Sequence, residues 1–174
     1  MSKKSPDSFP TEGMSEAYEK LLKLSMKEFK LIEGKTGPLL HKLIDKSSEA
    51  LSELDELTKE ESEKISKYLK RDLKEAANYM SEGNNDFKKW LAIDTDIIET
   101  YLFDLFKQAA DQTTIELAQL KADAENARYH TGEITGPGVL VCDVCGENLH
   151  FHKAGHIPPC AKCKGTYFHR MICR

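Results

Sequence analysis

The chain has 174 residues, 40% of them apolar and 31% charged, with a formal net charge of −4. That composition belongs to a folded globular protein, either one ordinary domain or a helical domain carrying a small appendage, and excludes disorder of the whole chain. The opening MSKKSPDSFPTEG has no apolar run after its lysines and reads as a disordered tail over residues 1–13, while Lys88, Lys89, Asp94, Asp96, Glu99 and Asp104 break the most apolar stretch and exclude a membrane span.

From Met14 to Arg128 the pattern is helical, and this segment is predicted to be an α-helical interaction domain. Tyr18, Leu22, Ser25, Phe29 and Ile32 mark one apolar stripe, which GKTGP interrupts with two glycines and a proline suited to the first turn of a new helix. Leu40, Leu43, Ser47, Ala50, Leu54 and Leu57 then follow the seam spacing of a helix packed on near-parallel or antiparallel neighbours, as in a coiled coil. Thr58 and Glu61 form a Thr-x-x-Glu capping box that opens a third helix lined by Ile65, Leu69, Leu73, Ala76 and Met80. After the break at SEGNND, the absence of glycine and proline from Asp94 to about Ala127 predicts a last helix roughly 50 Å long. Ile97, Tyr101, Phe103 and Phe106 widen its apolar stripe, so several neighbours must cover it, from this chain or from a second copy. The expected fold is mainly α: an antiparallel helix bundle or hairpin of about four helices followed by a small C-terminal β ribbon.

After Tyr129 the composition changes. HTGEITGPG reads as a turn-rich linker over residues 129–138, and β-type segments follow at Val139–Val141, Asn148–His152 and Thr166–Arg170 within a ribbon spanning residues 139–174. Cys142, Cys145, Cys160 and Cys163 have the paired Cys-x-x-Cys spacing of a structural zinc site, because two intervening residues let one tight turn aim both sulfurs at one ion. A thioredoxin-like redox pair is the competing reading, but it wants one such pair at a helix start in a βαβ unit. The reducing cytoplasm, to which the lack of any export signal assigns the chain, also favours metal over disulfides. Size agrees: Val139, Val141, Leu149, Phe151, Ile157, Tyr167 and Phe168 make a core near the limit for folding unaided. A peptide-scale zinc site supplies about 10–16 kcal/mol. Four thiolates also fill the tetrahedron, so one structural Zn²⁺ and no metal-activated hydrolysis are expected.

YHTGEITGPGVLVCDVCGENLHFHKAGHIPPCAKCKGTYFHR resembles the ribbon of the YbeL-like zinc-ribbon-containing proteins of bacteria, and LTKEESEKISKYLKRDL resembles their helical segment. The likeness covers about residues 40–170. It implies a bacterial cytosolic protein with an α-helical N-terminal region, zinc on Cys142, Cys145, Cys160 and Cys163, and no established activity.

The remaining polar residues suggest little chemistry. His150 and His152 alternate with Leu149 and Phe151, which places both imidazoles on one outer face; with His156 they could hold an anion or a second metal, but no acidic group completes a catalytic set. Lys153, Lys162, Lys164 and Arg170 are expected to balance the zinc–thiolate charge, Tyr167 and Phe168 to pack or to stack bases, and Cys173 to be a free thiol. Gly34-Lys35-Thr36 lacks the first glycine of a phosphate loop, since Phe29 stands there. Residues 1–128 carry 20 Lys and Arg against 26 Asp and Glu, and residues 129–174 carry 5 against 3, an excess of two that a four-thiolate Zn²⁺ centre cancels. The resulting expectation is a non-enzymatic adaptor for a protein partner or a second copy, with nucleic-acid binding and a thiol redox sensor as alternatives, and no membrane. The helical part and the ribbon are expected to fold independently.

Overall fold

The structure, a computed structural model, describes residues 12–33, 39–53, 57–81, 86–92, 100–120 and 128–171. Five helices, α1 Glu12–Leu31, α2 Leu39–Glu53, α3 Lys59–Ser81, α4 Phe87–Leu91 and α5 Thr100–Leu120, precede six short strands. The strands are β1 Tyr129–His130, β2 Ile134–Thr135, β3 Gly138–Cys142, β4 Asn148–Phe151, β5 Gly155–His156 and β6 Tyr167–Arg170. The expected class is present: helices first, then a small antiparallel sheet bearing the four cysteines.

The predicted stripes turn inward because burying one apolar face is what makes a helix of this length stable in water. Tyr18, Leu22, Ser25 and Phe29 of α1 are buried, as are Ile65, Leu69, Leu73 and Ala76 of α3. In α2 the seam departs from the expected spacing after Ser47: Ala50 is exposed and Leu51 takes its place, while Leu54 lies outside the described residues. The capping box at the start of α3 is made, with Thr58 N–H donating to Glu61 Oε2 at 2.9 Å and Glu61 N–H to Thr58 Oγ1 at 3.2 Å. The start of α2 has a cap from elsewhere. Glu116 of α5, 1% exposed, accepts Leu40 N–H at 2.6 Å and His41 N–H at 3.3 Å, placing a carboxylate on the positive end of the α2 dipole.

Only the Thr100–Leu120 part of the predicted last helix is described; both expected ends fall outside it. Its Leu102, Leu105, Phe106 and Ala109 are buried within this chain, whereas Tyr101 is exposed. Before it stands α4, which the sequence pattern did not suggest: Asp86 caps it by accepting Lys88 N–H, and Ala92 ends it in the left-handed conformation at φ 57°. That turn of helix stacks Phe87 on Trp90 at 5.4 Å and Trp90 on Phe106 of α5 at 5.7 Å between centroids. The bundle is compact, α1 packing on α2, α3 and α5.

The segment expected as a linker is not one. Residues 129–138 carry β1 and β2, and Ile134, Thr135, Gly136, Pro137 and Gly138 are all buried. Strands β1-β6-β3-β4 form one antiparallel sheet in that order and β2-β5 a second. Ile134 and Ala154 belong to the bundle's apolar core, so the ribbon is docked on the bundle. The glycines allow this close approach: a Cβ on Gly136 would lie 2.9 Å from Tyr18 Oη, and one on Gly138, at φ 138°, 2.0 Å from Arg170 Nη1.

Candidate metal centre

The two Cys-x-x-Cys turns are built alike. In the first, Gly146 N–H donates to Cys142 O and Cys142 N–H to Glu147 O, each at 2.9 Å; in the second, Lys164 N–H donates to Cys160 O and Cys160 N–H to Gly165 O at the same distance. Each turn needs a left-handed residue directly after its second cysteine, supplied by Gly146 at φ 74° and by Lys164 at φ 62°. A Cβ on Gly165 would lie 3.0 Å from Cys142 Sγ and 3.1 Å from Cys163 Sγ, so a bare backbone is required there too.

All four sequence-predicted ligands meet. Their sulfurs lie within 4.8 Å of one another, with Cys142 Sγ 3.5 Å from Cys163 Sγ and Cys145 Sγ 3.5 Å from Cys160 Sγ. A tetrahedron of sulfurs about 2.3 Å from a central Zn²⁺ has edges of about 3.8 Å, inside that range. The donor chemistry fits as well, because neighbouring sulfurs cannot all lose their protons unaided. The Cys163 N–H, with Lys162 N–H assisting and burial opposing, pulls the Cys160 thiol down to about 7. Although the Gly165 N–H favours its thiolate, Cys163 is pushed up to about 12 by Cys145, burial and the other two sulfurs. A divalent cation removes that conflict.

The ribbon core is Tyr129, Leu140, Ile157 and Phe168 together with Cys142 and Cys160, flanked by Leu149 and Phe151. Of the expected valines, Val139 is fully buried but outside this cluster and Val141 is half-buried; Leu140 joins the cluster, being two residues from Cys142 and on its face of β3. Tyr167 also leaves the expected core: it is 54% exposed while Phe168 is fully buried. His150, His152 and His156 are exposed, and among the described residues the four cysteines are the group of three or more residues placed to hold a metal. Cys173 lies outside the described residues.

Arg170 does not serve the thiolates. Its fully buried guanidinium donates to Pro137 O at 2.9 Å, to Thr135 Oγ1 at 3.0 Å, and to Glu75 Oε2 and Tyr129 Oη at 3.3 Å each, and it lies 4.3 Å over the Trp90 ring. Beside it, Arg71 of α3 lies 4.0 Å over the Tyr129 ring, pairs with Glu133 and donates to Ile134 O at 2.8 Å. Asp72, fully buried, accepts Tyr18 O–H at 2.6 Å, Gly136 N–H at 2.7 Å and Arg71 Nε at 3.0 Å. Burial pushes the Glu75 carboxyl up, with Arg170 and the Tyr129 hydroxyl opposing it, and burial also raises Tyr129 well above its usual range. Sequence reasoning missed this second cluster. Its acids lie on a helix face that reads as solvated, and no local spacing marks them.

The comparisons agree with the geometry. Residues 27–172 match the family described as zinc-ribbon containing domain. The protein named "Uncharacterized protein YbeL" from Escherichia coli strain K12 is 28% identical over 133 residues, 74% of this chain and 79% of that protein, and its namesakes in strains O6:H1 and O157:H7 match equally. No solved structure shows a significant match. No helix among the described residues is long and apolar enough to cross a membrane. With the four-cysteine cluster in place and most of the chain matched, the protein belongs to the zinc-ribbon containing domain family.

Proposed function

We propose that this chain is a non-catalytic adaptor in which one structural Zn²⁺, held by Cys142, Cys145, Cys160 and Cys163, stiffens a ribbon that presents its outer face to a protein partner. The carrying observation is that the face left free by docking is not simply polar. Val144, 72% exposed on the first turn, and Tyr167, 54% exposed on β6, stand out from it. His130 on β1 lies opposite Tyr167, their rings edge to face at 4.8 Å, and His169 is tied to Asp143 at 2.5 Å. Exposed aromatic groups on a rigid support are what protein interfaces use as anchors, and a neighbouring apolar group such as Val144 helps to exclude water around them. Four thiolate ligands leave no open position on the metal, which supports a structural role over hydrolysis.

Nucleic acid is the second reading, favoured by the outward Tyr167 and His130 rings on an antiparallel sheet. The net charge of −4 weighs against it. Metal analysis of reduced protein should find one zinc per chain, and less than about half would remove the site assignment. Partner capture with nuclease present should retain the same proteins with wild type and lose them with Val144→Ser/Tyr167→Ser, zinc content unchanged. Single-stranded DNA or RNA should bind with a log affinity against log salt slope near zero; a slope near about −3 would reverse the ranking.

A further inference from the structure

The ribbon meets the bundle through charge as well as through oil, and the charged part stands on the strand that leaves the metal centre. Strand β6 begins four residues after Cys163, pairs with β1 on one side and β3 on the other, and sets Phe168 opposite Tyr129 and Cys142. Two residues further along, on the same face, Arg170 enters the bundle. We propose that Arg170 is a metal-dependent latch: the closed four-cysteine site holds β6 so that the guanidinium clamps Glu75, Tyr129 and Trp90, and opening the site withdraws it and loosens the helices. This inference rests on the zinc reading given above.

The physical reasons lie at both ends of β6. At the metal end, two of the ligand sulfurs belong to buried core residues, Cys142 and Cys160, and the rest of that core is four large side chains with two half-buried ones. So small a core does not hold three-strand pairing without its staple. At the bundle end, Arg170 is the shared donor for Pro137 O, Thr135 Oγ1 and Glu75. Its departure leaves a carboxylate that is 14% exposed without its cation, the circumstance in which removing one partner of a buried pair is most destabilising. Trp90 loses the cation over its ring and is already without a partner for its indole N–H among the described residues. Because Trp90 stacks on both Phe87 and Phe106, which meet each other at 6.0 Å, the disturbance reaches α4 and α5 directly.

The chain has one tryptophan, so the latch carries its own reporter. Zinc is withdrawn from the reduced full-length protein with a chelator while bound metal, tryptophan emission and helical circular dichroism are followed. Emission should shift to the red and the helix melting midpoint fall by at least about 10 °C in step with zinc loss, both returning on re-addition. Linkage is reciprocal, so Arg170→Met should still bind one zinc but about tenfold more weakly in chelator competition, with the zinc-dependent shift in helix melting at least halved. Zinc departing while Trp90 emission and helix melting stay unmoved overturns the latch, as does Arg170→Met with wild-type zinc affinity and coupling. Should Arg170→Met not fold, the wild-type titration alone decides. A chain that binds no zinc at all defeats the site reading and the latch together, an outcome distinct from zinc that binds without coupling.

Discussion

The interior of the helix bundle and its junction with the ribbon are both buried, yet they are held by opposite means. Between the helices, Leu21, Leu40, Ile44, Leu69 and Leu73 fill space, and the free energy comes from apolar area removed from water. At the junction, Asp72, Glu75, Arg71 and Arg170 are bonded to one another, to Tyr18 and Tyr129, and to the backbone of residues 134–137. The first kind of contact tolerates any side chain of similar volume. The second tolerates almost none, since each donor taken from water must meet one acceptor in one place. The bundle's packing is therefore replaceable in detail, whereas the junction specifies a single docking geometry.

The sharpest way to break the contrast is a substitution that preserves shape. Asp72→Asn leaves the volume unchanged but removes the charge and one acceptor from three donors, and should cost about 3–5 kcal/mol in urea unfolding. A loss under about 1 kcal/mol would make the junction an ordinary packed surface. In the bundle, Leu69→Ala should cost on the order of 3 kcal/mol through the cavity it leaves, and Leu69→Met less than about 1.5 kcal/mol. If the methionine variant were as damaging as the alanine one, the apolar seam would be as exacting as the charged one.

Acid tests the bundle by another route. His41, on α2 and facing Thr113 of α5, has its imidazole pushed down to about 4 by burial and then by Lys74 and Lys70. Its folded value lies below the unfolded one, so the neutral ring's contribution is complete above about pH 6.5 and is lost as pH falls from there toward about 4. With partial solvent access discounted, the loss is on the order of 2 kcal/mol. Comparing wild type with His41→Phe between those limits isolates it; an identical pH dependence in both would assign acid sensitivity to the junction carboxylates or the metal centre. The smallest expected effect is a gain. Lys164 occupies the left-handed position that Gly146 fills in the first turn, and Lys164→Gly should raise the ribbon's melting free energy by about 1 kcal/mol with zinc content unchanged. No gain would mean that the lysine side chain contributes as much as its backbone strain costs.

Much of this molecule is readable residue by residue. The capping box at Thr58–Glu61, the buried stripes of α1 and α3 and both cysteine turns follow from spacings of two to four residues, over which the chain's own geometry dictates what meets what. Even small departures have local explanations. Ala50 gives way to Leu51 because a helix repeat of 3.6 residues lets a seam drift by one position after several turns. Leu140 joins the cysteine cluster because it shares a face with Cys142, while Val139 is buried outside it.

What spacing cannot convey is which charged residues are taken out of water. Arg71, Asp72 and Glu75 have the composition of an exposed helix face, and GEITGPG has that of a loose connection. Asp72 meets its Gly136 partner 64 residues away, and Glu75 meets Arg170 across 95. Neither meeting leaves a periodic trace, because an ion pair specifies only that two groups coincide, not where along the chain they stand. The helices and the metal ligands were settled by local stereochemistry in the sequence itself. The burial of four charges between bundle and ribbon was decided only when the sheet, braced at Cys142–Cys163, set Arg170 against α3, and Gly136 and Gly138 let the backbone close on Asp72 and on Arg170.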